Sequence, residues 1–480
     1  MWFIGGMESW ATFGGDLHLD LPSGRARGLG LRAALEDALR SAVRDGRLSA
    51  GTRLPSSRAL AADLGIARNT VAEAYTQLTA EGWLTSRQGS GTVVAEREPQ
   101  SRPAAPPPLP PRPAEPRHNL MPGSPDLSHF PRGAWLAAAR RAFATAPHAA
   151  FGYGDPRGRI ELRRALADYL ARVRGVRTDP ERLLICSGYT QGLGLVCAAM
   201  HRRGLRTVAV EEYGLPPQQA VIAAAGPSTV ALALDDHGAR TEQLLRTDAG
   251  LAVLTPAHQF PSGVPLRAAR RAAAIAWARA TDGVVLEDDY DGEFRYDRQA
   301  VGALQSLDPE RVVYAGTASK SLAPGLRLGW LALPTALVEP VLEQKRLADG
   351  QSGSIDQLTL AELITSGDYD RHIRRSRLRY RRRRDQLVAA LARVAPEVTV
   401  TGINAGLHAV LRLPAGAPNE EELLRQARWL GISLNTLSWC RAAAAGPDPD
   451  APSALVIGFG TPPDHAWPAA LDALCTLVRP

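Results

Sequence analysis

The stretch that decides the fold is TASKSLAPGLRLGW, residues 317–330, which follows an apolar, strand-like run. It contains Lys320, and the chain has one other lysine, Lys345, so its 56 lysine and arginine residues are 54 arginines and two lysines. An amine forms a Schiff base with an aldehyde, whereas a guanidinium stays protonated at ordinary pH and cannot. The sequence therefore predicts that Lys320 holds an aldehyde, although a lone lysine in an arginine-rich chain can also arise by chance.

Two side chains that suit such an aldehyde lie in LEDDYDGEF, residues 286–294. The aldehyde cofactor of protein lysines is pyridoxal 5'-phosphate (PLP), which needs a carboxylate beside its ring nitrogen and a donor at its phenolic oxygen. Asp288 and Tyr290 follow an apolar run, and side chains two residues apart on an extended chain point the same way. We predict that both face the cofactor; taken alone, Asp288 is better explained as a helix cap or an ion-pair partner.

The phosphate of PLP needs backbone N–H groups, hydroxyls and a cation. CSGYTQG, residues 186–192, predicts a strand that leads directly into a helix, and a helix N-terminus favours an anion. Ligands of open α/β sheets bind at the carboxyl ends of the strands, where these segments fall. The predicted phosphate cup comprises Gly188, Tyr189, Thr190, Thr317, Ser319 and Arg327.

Apolar, β-rich runs alternate with helix-length segments over residues 118–384. This pattern predicts a large α/β domain with a mostly parallel sheet. We expect its strands in RLLICSG, TVAVEEYG, STVALALDD, LAVLTPAH, GVVLEDDY, RVVYAGTAS and LRLGWLALP. A smaller α+β domain is expected over residues 385–480, containing GLHAVLRLP and SALVIGFG.

A separate module is predicted over residues 16–95, before a linker at residues 96–117 that is rich in proline. A proline-rich ligand for a partner domain is the alternative to a linker. Apolar residues at helical spacing predict three helices, and WLTSRQGSGTVVA predicts a strand, a glycine-rich turn and a strand. This arrangement is a winged helix-turn-helix. The predicted apolar faces are Leu31, Leu35, Leu39 and Val43 in the first helix and Val71, Ala74, Tyr75 and Leu78 in the third.

Polar residues of this module cluster on the face that would read DNA. The net charge of +7 does not by itself indicate DNA binding, since residues 1–95 contain ten arginines against nine acidic residues. No acidic residue lies between Gly65 and Ala72, where a recognition helix enters the major groove. A winged helix that contacts protein is the alternative. We expect DNA contacts from Arg53, Ser56, Arg58, Arg68, Asn69, Thr70, Arg87, Gln88 and Gly89.

Nine arginines are concentrated in DRHIRRSRLRYRRRRDQL, residues 370–387. They could form a second nucleic-acid surface, but a long helix with a solvated arginine face is the favoured interpretation. Ile373, Leu378 and Leu387 would then face the core.

Cysteine usage and hydropathy indicate the compartment. Four cysteines lack metal-ligand spacing, and no apolar run approaches the ~20 residues of a membrane helix. Residues 1–7 are too short for a secretory signal, and Met7 is an alternative start to Met1. We expect a reduced, cytoplasmic protein without a metal site or membrane contact.

Motifs in both parts of the chain resemble known families. Residues 118–480 resemble a fold-type I aminotransferase through YGDPRGRIELRRAL, TPAHQFPSGVPL, LEDDYDGEFRY and GTASKSLAPGLRLGW. Residues 31–95 resemble a GntR-type winged helix through GTRLPSSRALAADLGIARNTVAEAYTQLTAEGWLTSRQGSGTVV. The fusion resembles the MocR-type transcriptional regulators over nearly the whole chain.

The resemblance implies roles for individual residues. Lys320 would carry PLP as an internal aldimine, Asp288 would pair with the pyridinium nitrogen, Tyr290 would lie near the phenolic oxygen and Arg327 would bind the phosphate. Family members are commonly homodimers, often head-to-tail, whose heads read two repeated sites of an operator in double-stranded DNA. The DNA-contacting positions of the wider GntR family fall on Arg58, Arg68, Asn69, Thr70, Gln88 and Gly89.

Several positions depart from these families. Leu215 replaces a tyrosine that can stack on the cofactor ring, and Tyr213 is a candidate substitute. Thr461 stands where members that bind amino-acid effectors can have an arginine, and Phe260 where active aminotransferases have an asparagine. Since a desolvated carboxylate needs a paired cation, we expect absent or weak transamination, unless Arg412 replaces the missing arginine.

The resemblance therefore implies a PLP-dependent regulator that senses PLP itself or an amine. In a PdxR-like branch it would control vitamin B6 synthesis genes; GABA, taurine or another amine are alternative effectors. Two other functions remain open: an active aminotransferase with a vestigial DNA-binding head, and a cofactor carrier that binds no DNA.

Overall fold

The computed structural model describes residues 9–13, 17–21, 30–87, 91–96, 116–296, 301–448 and 453–479. Its contacts divide the described chain into an N-terminal unit within residues 1–113 and a C-terminal unit within residues 114–480. Most of the predicted linker, residues 96–117, lies outside the described residues. Among the helices that are described, none combines the length and the hydropathy that crossing a bilayer requires.

Three helices and two hairpins make up the described part of the N-terminal unit. Its elements are β1 (Ser9–Phe13), β2 (Leu17–Leu21), α1 (Leu31–Arg44), α2 (Ser57–Leu64), α3 (Arg68–Ala80), β3 (Leu84–Arg87) and β4 (Gly91–Val94). Both hairpins are antiparallel. The three helices and the β3–β4 wing confirm the predicted winged helix-turn-helix, while β1 precedes residue 16, where we expected the module to begin.

The core of the N-terminal unit confirms one predicted helix face and corrects the other. Helix α3 buries all four predicted residues, Val71, Ala74, Tyr75 and Leu78. In α1, Leu35 and Leu39 are buried as predicted, but Leu31 is 51% exposed. Ala34 and Ala42 complete the buried face instead. By the helical period Leu31 lies on the same face, but it is the first residue of the helix and is exposed, so the prediction that it is buried was wrong.

The C-terminal unit is built on a parallel sheet with one reversed strand. Its strands are β5 (His118–Asn119), β6 (Leu183–Cys186), β7 (Thr207–Glu211), β8 (Ser228–Leu232), β9 (Leu234–Asp235), β10 (Gly238–Ala239), β11 (Leu251–Leu254), β12 (Val284–Asp288), β13 (Val312–Thr317), β14 (Gly329–Ala332), β15 (Thr399–Thr401), β16 (Ala409–Arg412), β17 (Ile432–Ser433), β18 (Asn435–Thr436) and β19 (Ala454–Ile457). The large sheet of the described residues has the order β6-β14-β13-β12-β11-β7-β8, and β14 is antiparallel to both its neighbours. Each of its strands lies in one of the predicted runs, which confirms the large α/β domain.

Helices cover both faces of this sheet. They are α4 (Arg132–Thr145), α5 (Ile160–Arg174), α6 (Tyr189–Arg202), α7 (Pro216–Ala224), α8 (Ala268–Thr281), α9 (Thr335–Asp349), α10 (Ser354–Thr365), α11 (Asp368–Val394), α12 (Glu420–Trp429) and α13 (Trp467–Leu477). In β6, Leu183 and Ile185 enter a core shared with α5, whereas Leu184 enters a core shared with α6. Successive side chains of a strand point to opposite faces, so a strand that is covered on both sides is apolar throughout.

A smaller antiparallel sheet has the order β15-β16-β19-β18. GLHAVLRLP supplies β16 and SALVIGFG supplies β19. However, β5, at the start of the unit, pairs with β17, and α11 runs unbroken through residues 384 and 385. Packing therefore does not follow the division we expected between residues 118–384 and 385–480, because the pairing of distant segments leaves no local pattern in the sequence.

Helix α11 contains the arginine-rich stretch. Ile373 and Leu387 are buried as predicted, but Leu378 is 64% exposed, so its prediction was wrong. The buried positions recur every three or four residues, and Leu378 falls between two of them. Arg383 occupies the buried face, where its Nη2 lies 2.8 Å from Asp126 Oδ2. This run of arginines thus contributes an ion pair to the core as well as a solvated face.

Candidate functional site

A cavity of about 340 Å³ lies at the carboxyl ends of β12 and β13. Eight of the nine residues predicted to bind PLP line it: Tyr189, Thr190, Asp288, Tyr290, Thr317, Ser319, Lys320 and Arg327. The ninth, Gly188, is the N-cap of α6 and adjoins Tyr189. The volume is within the range of about 300–1,000 Å³ that is usual for cofactor sites.

Lys320 lies three residues beyond the end of β13, and its Nζ donates a hydrogen bond to Gly123 O. Burial lowers the pKa of the Lys320 ammonium, although the nearby carboxylates of Asp288 and Asp291 act in the opposite direction. A lowered pKa enlarges the fraction of neutral amine, which is the form that attacks an aldehyde.

Asp288 ends β12 and is 4% exposed. Its Oδ2 accepts a hydrogen bond from Gln218 Nε2 (3.3 Å), whereas its buried Oδ1 has no partner among the described residues. Burial raises the pKa of the Asp288 carboxyl well above its usual range, and Lys320 opposes this shift. An unpartnered buried oxygen is costly, and the protonated ring nitrogen of PLP is a group that would satisfy it. The site therefore fits the cofactor on its pyridinium side.

The turn between β6 and α6 forms another part of the cavity wall. Gly188 has a φ of 82°, and a Cβ at this position would lie 3.2 Å from Arg327 Nη1. The guanidinium therefore rests against the backbone at the helix N-terminus, and Arg327 Nη2 donates to Ser187 O. Thr317 Oγ1 donates to Ser319 Oγ across 2.9 Å. A cation, two hydroxyls and a helix N-terminus suit a phosphate dianion.

Tyr290 is oriented by a histidine that the sequence analysis did not single out. The tyrosine hydroxyl donates to His258 O (3.0 Å) and lies 3.2 Å from His258 Nδ1. His258 Nδ1 is in turn 2.8 Å from Asp291 Oδ2. The donor expected at the phenolic oxygen of the cofactor is thus part of a buried network.

Two further ionisable groups of the cavity were missed. Burial lowers the pKa of His408 to about 3, so this imidazole is neutral. Burial raises the pKa of Glu211 to about 7. Glu211 ends β7, so the rule that ligands collect at strand ends could have found it. His408 precedes β16 of the smaller sheet, and only the tertiary structure brings it to the cavity.

The positions that depart from the families also lie at or near the cavity. Leu215 and Tyr213 both line it, but the Tyr213 hydroxyl accepts a hydrogen bond from Arg441 Nη1 (2.9 Å). Phe260 lines it as well and is 6% exposed. An apolar side chain thus occupies the position at which aminotransferases were expected to have asparagine.

Neither Thr461 nor Arg412 places a cation among the described residues that line the cavity. Thr461 Oγ1 donates to Met121 O (2.7 Å) and Ser124 O (3.1 Å), which ties two segments of the backbone together. Arg412 is exposed at the end of β16 and is absent from the cavity lining, so it does not substitute as we had considered. Among the described residues that line the cavity, Lys320 is the only lysine and Arg327 is the only arginine.

The N-terminal unit presents most of the predicted DNA-contacting residues on its surface. Arg68, Asn69 and Thr70 form the first turn of α3. Arg53, Arg58, Arg68 and Asn69 are exposed. Arg53 lies beside the wing, with Nε 3.2 Å from where a Cβ of Gly91 would stand.

The remaining predicted DNA contacts have other roles or are not described. Ser56 caps α2 by accepting a hydrogen bond from Ala59 N (3.2 Å), so part of its hydrogen-bonding capacity is already used. Arg87 ends β3, but its side chain, Gln88 and Gly89 lie outside the described residues.

Both units match known families. Residues 31–94 match "Bacterial regulatory proteins, gntR family", and residues 119–438 match "Aminotransferase class I and II". The latter fold implies a PLP cofactor. Kynurenine aminotransferase of Pyrococcus horikoshii is a structural neighbour, with a TM-score of 0.66, 25% identity and coverage of 75% of this chain and 90% of that chain.

Three similar proteins each match this chain over more than three quarters of its length. The uncharacterised HTH-type transcriptional regulator YhdI of Bacillus subtilis is 36% identical over 82% of this chain and 85% of its own length. The pyridoxine biosynthesis regulator PdxR of Corynebacterium glutamicum is 34% identical over 78% and 82%. The probable rhizopine catabolism regulatory protein MocR of Rhizobium meliloti is 32% identical over 84% and 86%. The chain therefore belongs to the MocR-type family of PLP-dependent transcriptional regulators, in which a gntR-type winged helix precedes an aminotransferase class I and II domain.

Proposed function

We propose that the C-terminal unit binds PLP covalently through Lys320 and that occupancy of this site controls DNA binding by the N-terminal unit. PLP supplies an aldehyde, a cationic ring nitrogen and a phosphate. Lys320 would bind the aldehyde, Asp288 the ring nitrogen, and Arg327 with the α6 N-terminus the phosphate. The unpartnered Asp288 Oδ1 in a buried site supports this assignment.

The small number of cationic side chains in the cavity favours a sensor over an enzyme. Lys320 and Arg327 are both required to hold PLP, which leaves no lysine or arginine of the described lining for the carboxylate of an amino-acid substrate. We therefore propose that PLP itself, or an amine without a carboxylate, is the effector. The similarity to PdxR supports control of vitamin B6 synthesis genes as the cellular role.

Exposed apolar side chains of the C-terminal unit support a homodimer. Leu136 (63% exposed) and Phe143 (39%) lie one heptad apart on α4, so they share a face of that helix. Phe151 is 49% exposed, and its ring centroid is 6.0 Å from that of Phe143. We propose that a second copy covers this surface, that the two N-terminal units read two repeated operator sites, and that the protein works in the cytoplasm.

Two variants separate cofactor binding from DNA binding. Lys320→Ala should abolish the visible absorbance of the lysine–PLP adduct, while Arg68→Ala should retain it, because Arg68 belongs to the other unit. Arg68→Ala should lose retention of the promoter DNA next to the gene in a gel-shift assay, because it removes a cation from the recognition helix. PLP should change the DNA affinity of the wild type but not that of Lys320→Ala.

Two results would contradict this function. A Lys320→Ala variant that keeps the absorbance band would exclude Lys320 as the site of attachment. Repeated turnover of amino acids with 2-oxoglutarate by the purified wild type would favour the aminotransferase alternative. A cofactor carrier would bind PLP normally but would not retain DNA.

A further inference from the structure

The second lysine of the chain lies outside the cavity lining, yet its surface is fully buried. Lys345 is on α9 and is 0% exposed, which is rare for a lysine. Its Nζ lies 2.6 Å from Asp349 Oδ2 and 2.8 Å from Ser352 Oγ. A buried ammonium is tolerated only where such partners offset its lost hydration. The partners explain how Lys345 is accommodated, but not what it does there.

Lys345 is connected to the backbone of the phosphate cup through Gln191. Its Nζ donates to Gln191 Oε1 (3.4 Å), and Gln191 Nε2 donates to Asp349 Oδ2 (2.8 Å). Gln191 Oε1 also accepts the N–H of Ser187 (2.7 Å). The carbonyl of Ser187 in turn accepts a hydrogen bond from Arg327. Hydrogen bonds on either side of the Ser187 backbone therefore connect Lys345 with the guanidinium on the phosphate side of the cavity.

We propose that Lys345 is a positioning residue for the phosphate of the cofactor. It orients Gln191, which fixes the backbone of Ser187 at the turn into α6 through its N–H and thereby positions the carbonyl that binds the guanidinium of Arg327. The inference rests on the proposed PLP site, since it assigns the network a role only if a phosphate is bound there. A lysine suits this buried position, because the three N–H groups of its ammonium can donate to the side chains of Gln191, Asp349 and Ser352 in different directions.

Comparison of PLP with pyridoxal, which lacks the phosphate, tests this role. Lys345→Met removes the hydrogen bond from Lys345 to Gln191 but keeps the one from Gln191 to Asp349. Gln191→Leu removes the side-chain acceptor of the Ser187 N–H. Both variants should bind PLP on the order of tenfold more weakly or worse, as for the loss of a hydrogen bond to a charged group, and bind pyridoxal as the wild type does. Titration of the full-length chain, followed by the absorbance of the Lys320 adduct, measures both affinities.

A matched control is Thr241→Val, because Thr241 is also 0% exposed and its hydroxyl donates to Arg270 O (2.7 Å), outside the cavity lining and the Lys345 network. This variant should leave both affinities unchanged. Equal loss of PLP and pyridoxal binding in Lys345→Met and Gln191→Leu would assign the network a general structural role and overturn the proposal. Unchanged PLP binding in both variants would overturn it as well.

If Lys345→Met does not fold, Gln191→Leu gives the same comparison at a half-buried position. Failure of the wild type to bind PLP would instead contradict the proposed function.

Discussion

Burial shifts the pKa values of the ionisable residues of the cavity in different directions. Burial favours a neutral Lys320 amine and protonated Asp288, and it raises the pKa of Glu211 to about 7. Glu211 accepts hydrogen bonds from Thr255 N (3.3 Å) and from Gln259 Nε2 (3.2 Å), whereas Asp288 Oδ1 has no partner among the described residues. A cation bound in the cavity would thus ionise Asp288, while Glu211 keeps its protein partners.

Glu211→Gln should reduce the dependence of stability on pH. The Glu211 pKa is raised from 4.5 to about 7, so the folded protein retains a proton between these pH values that the unfolded chain has released. The stabilisation is complete below pH 4.5 and is lost as pH rises to about 7, by up to about 3 kcal/mol. Urea denaturation at a series of fixed pH values should therefore show a smaller fall in unfolding free energy for Glu211→Gln. Equal falls in the variant and the wild type would contradict the assigned pKa.

The candidate cofactor site and the candidate DNA-binding surface both lie at the N-terminus of a helix. The N-terminus of α6 faces the cavity, and its N-cap Gly188 has a φ of 82°, which a residue with a Cβ rarely adopts. The first turn of α3 presents Arg68, Asn69 and Thr70. Both ends expose backbone N–H groups, which suit phosphate oxygens. Short turns therefore determine where each ligand would bind.

Ser56→Ala should destabilise the N-terminal unit by about 1 kcal/mol, because it removes the side chain that caps α2. Ser57→Ala is the matched control, since Ser57 is the first helical residue and makes no capping bond. Thermal unfolding followed by circular dichroism should resolve the lower transition temperature of Ser56→Ala. Equal transition temperatures for the two variants would show that the cap contributes nothing measurable.

The whole molecule combines two units with separate cores. For PLP binding in one unit to affect DNA binding by the other, it must shift the equilibrium between arrangements of the protein. PLP can alter DNA binding only if it binds more tightly to one arrangement of the protein than to another. A homodimer adds a further requirement, because the two DNA-reading units must match the spacing of two operator sites. The exposed apolar face of α4 is the surface through which we propose that the copies associate.

Leu136→Asp should dissociate the proposed dimer, since it would place a charge in an apolar interface. Light scattering after size-exclusion chromatography should show a lower mass, and binding to a two-site operator should weaken more than binding to a single site. Leu245→Asp is the matched control, because Leu245 is 65% exposed elsewhere in the unit. A wild-type mass for Leu136→Asp would exclude α4 as the interface.

Local patterns predicted the winged helix-turn-helix, the strands of the large sheet and eight of the residues that line the cavity. Helix α3 buries the four residues that its spacing indicated, because the period of a helix directly determines which side chains share a face. Asp288 and Thr317 were found because functional groups of α/β sheets lie at strand ends. Leu31 and Leu378 were misassigned, since the limits of a buried face depend on which neighbouring element covers it.

The sequence by itself determined the two-unit organisation, the strands of the large sheet and the position of Lys320 just after one of them, because these follow from residue type and short-range periodicity. Only the tertiary structure decided that β5 pairs with β17, that His408 reaches the cavity, and that Gln191 is hydrogen-bonded to both Lys345 and Ser187. These contacts join segments far apart in the chain, and their formation depends on packing and long-range hydrogen bonding. A role for the first lysine could thus be proposed from the sequence, whereas the role proposed for the second depends on contacts seen only in the folded protein.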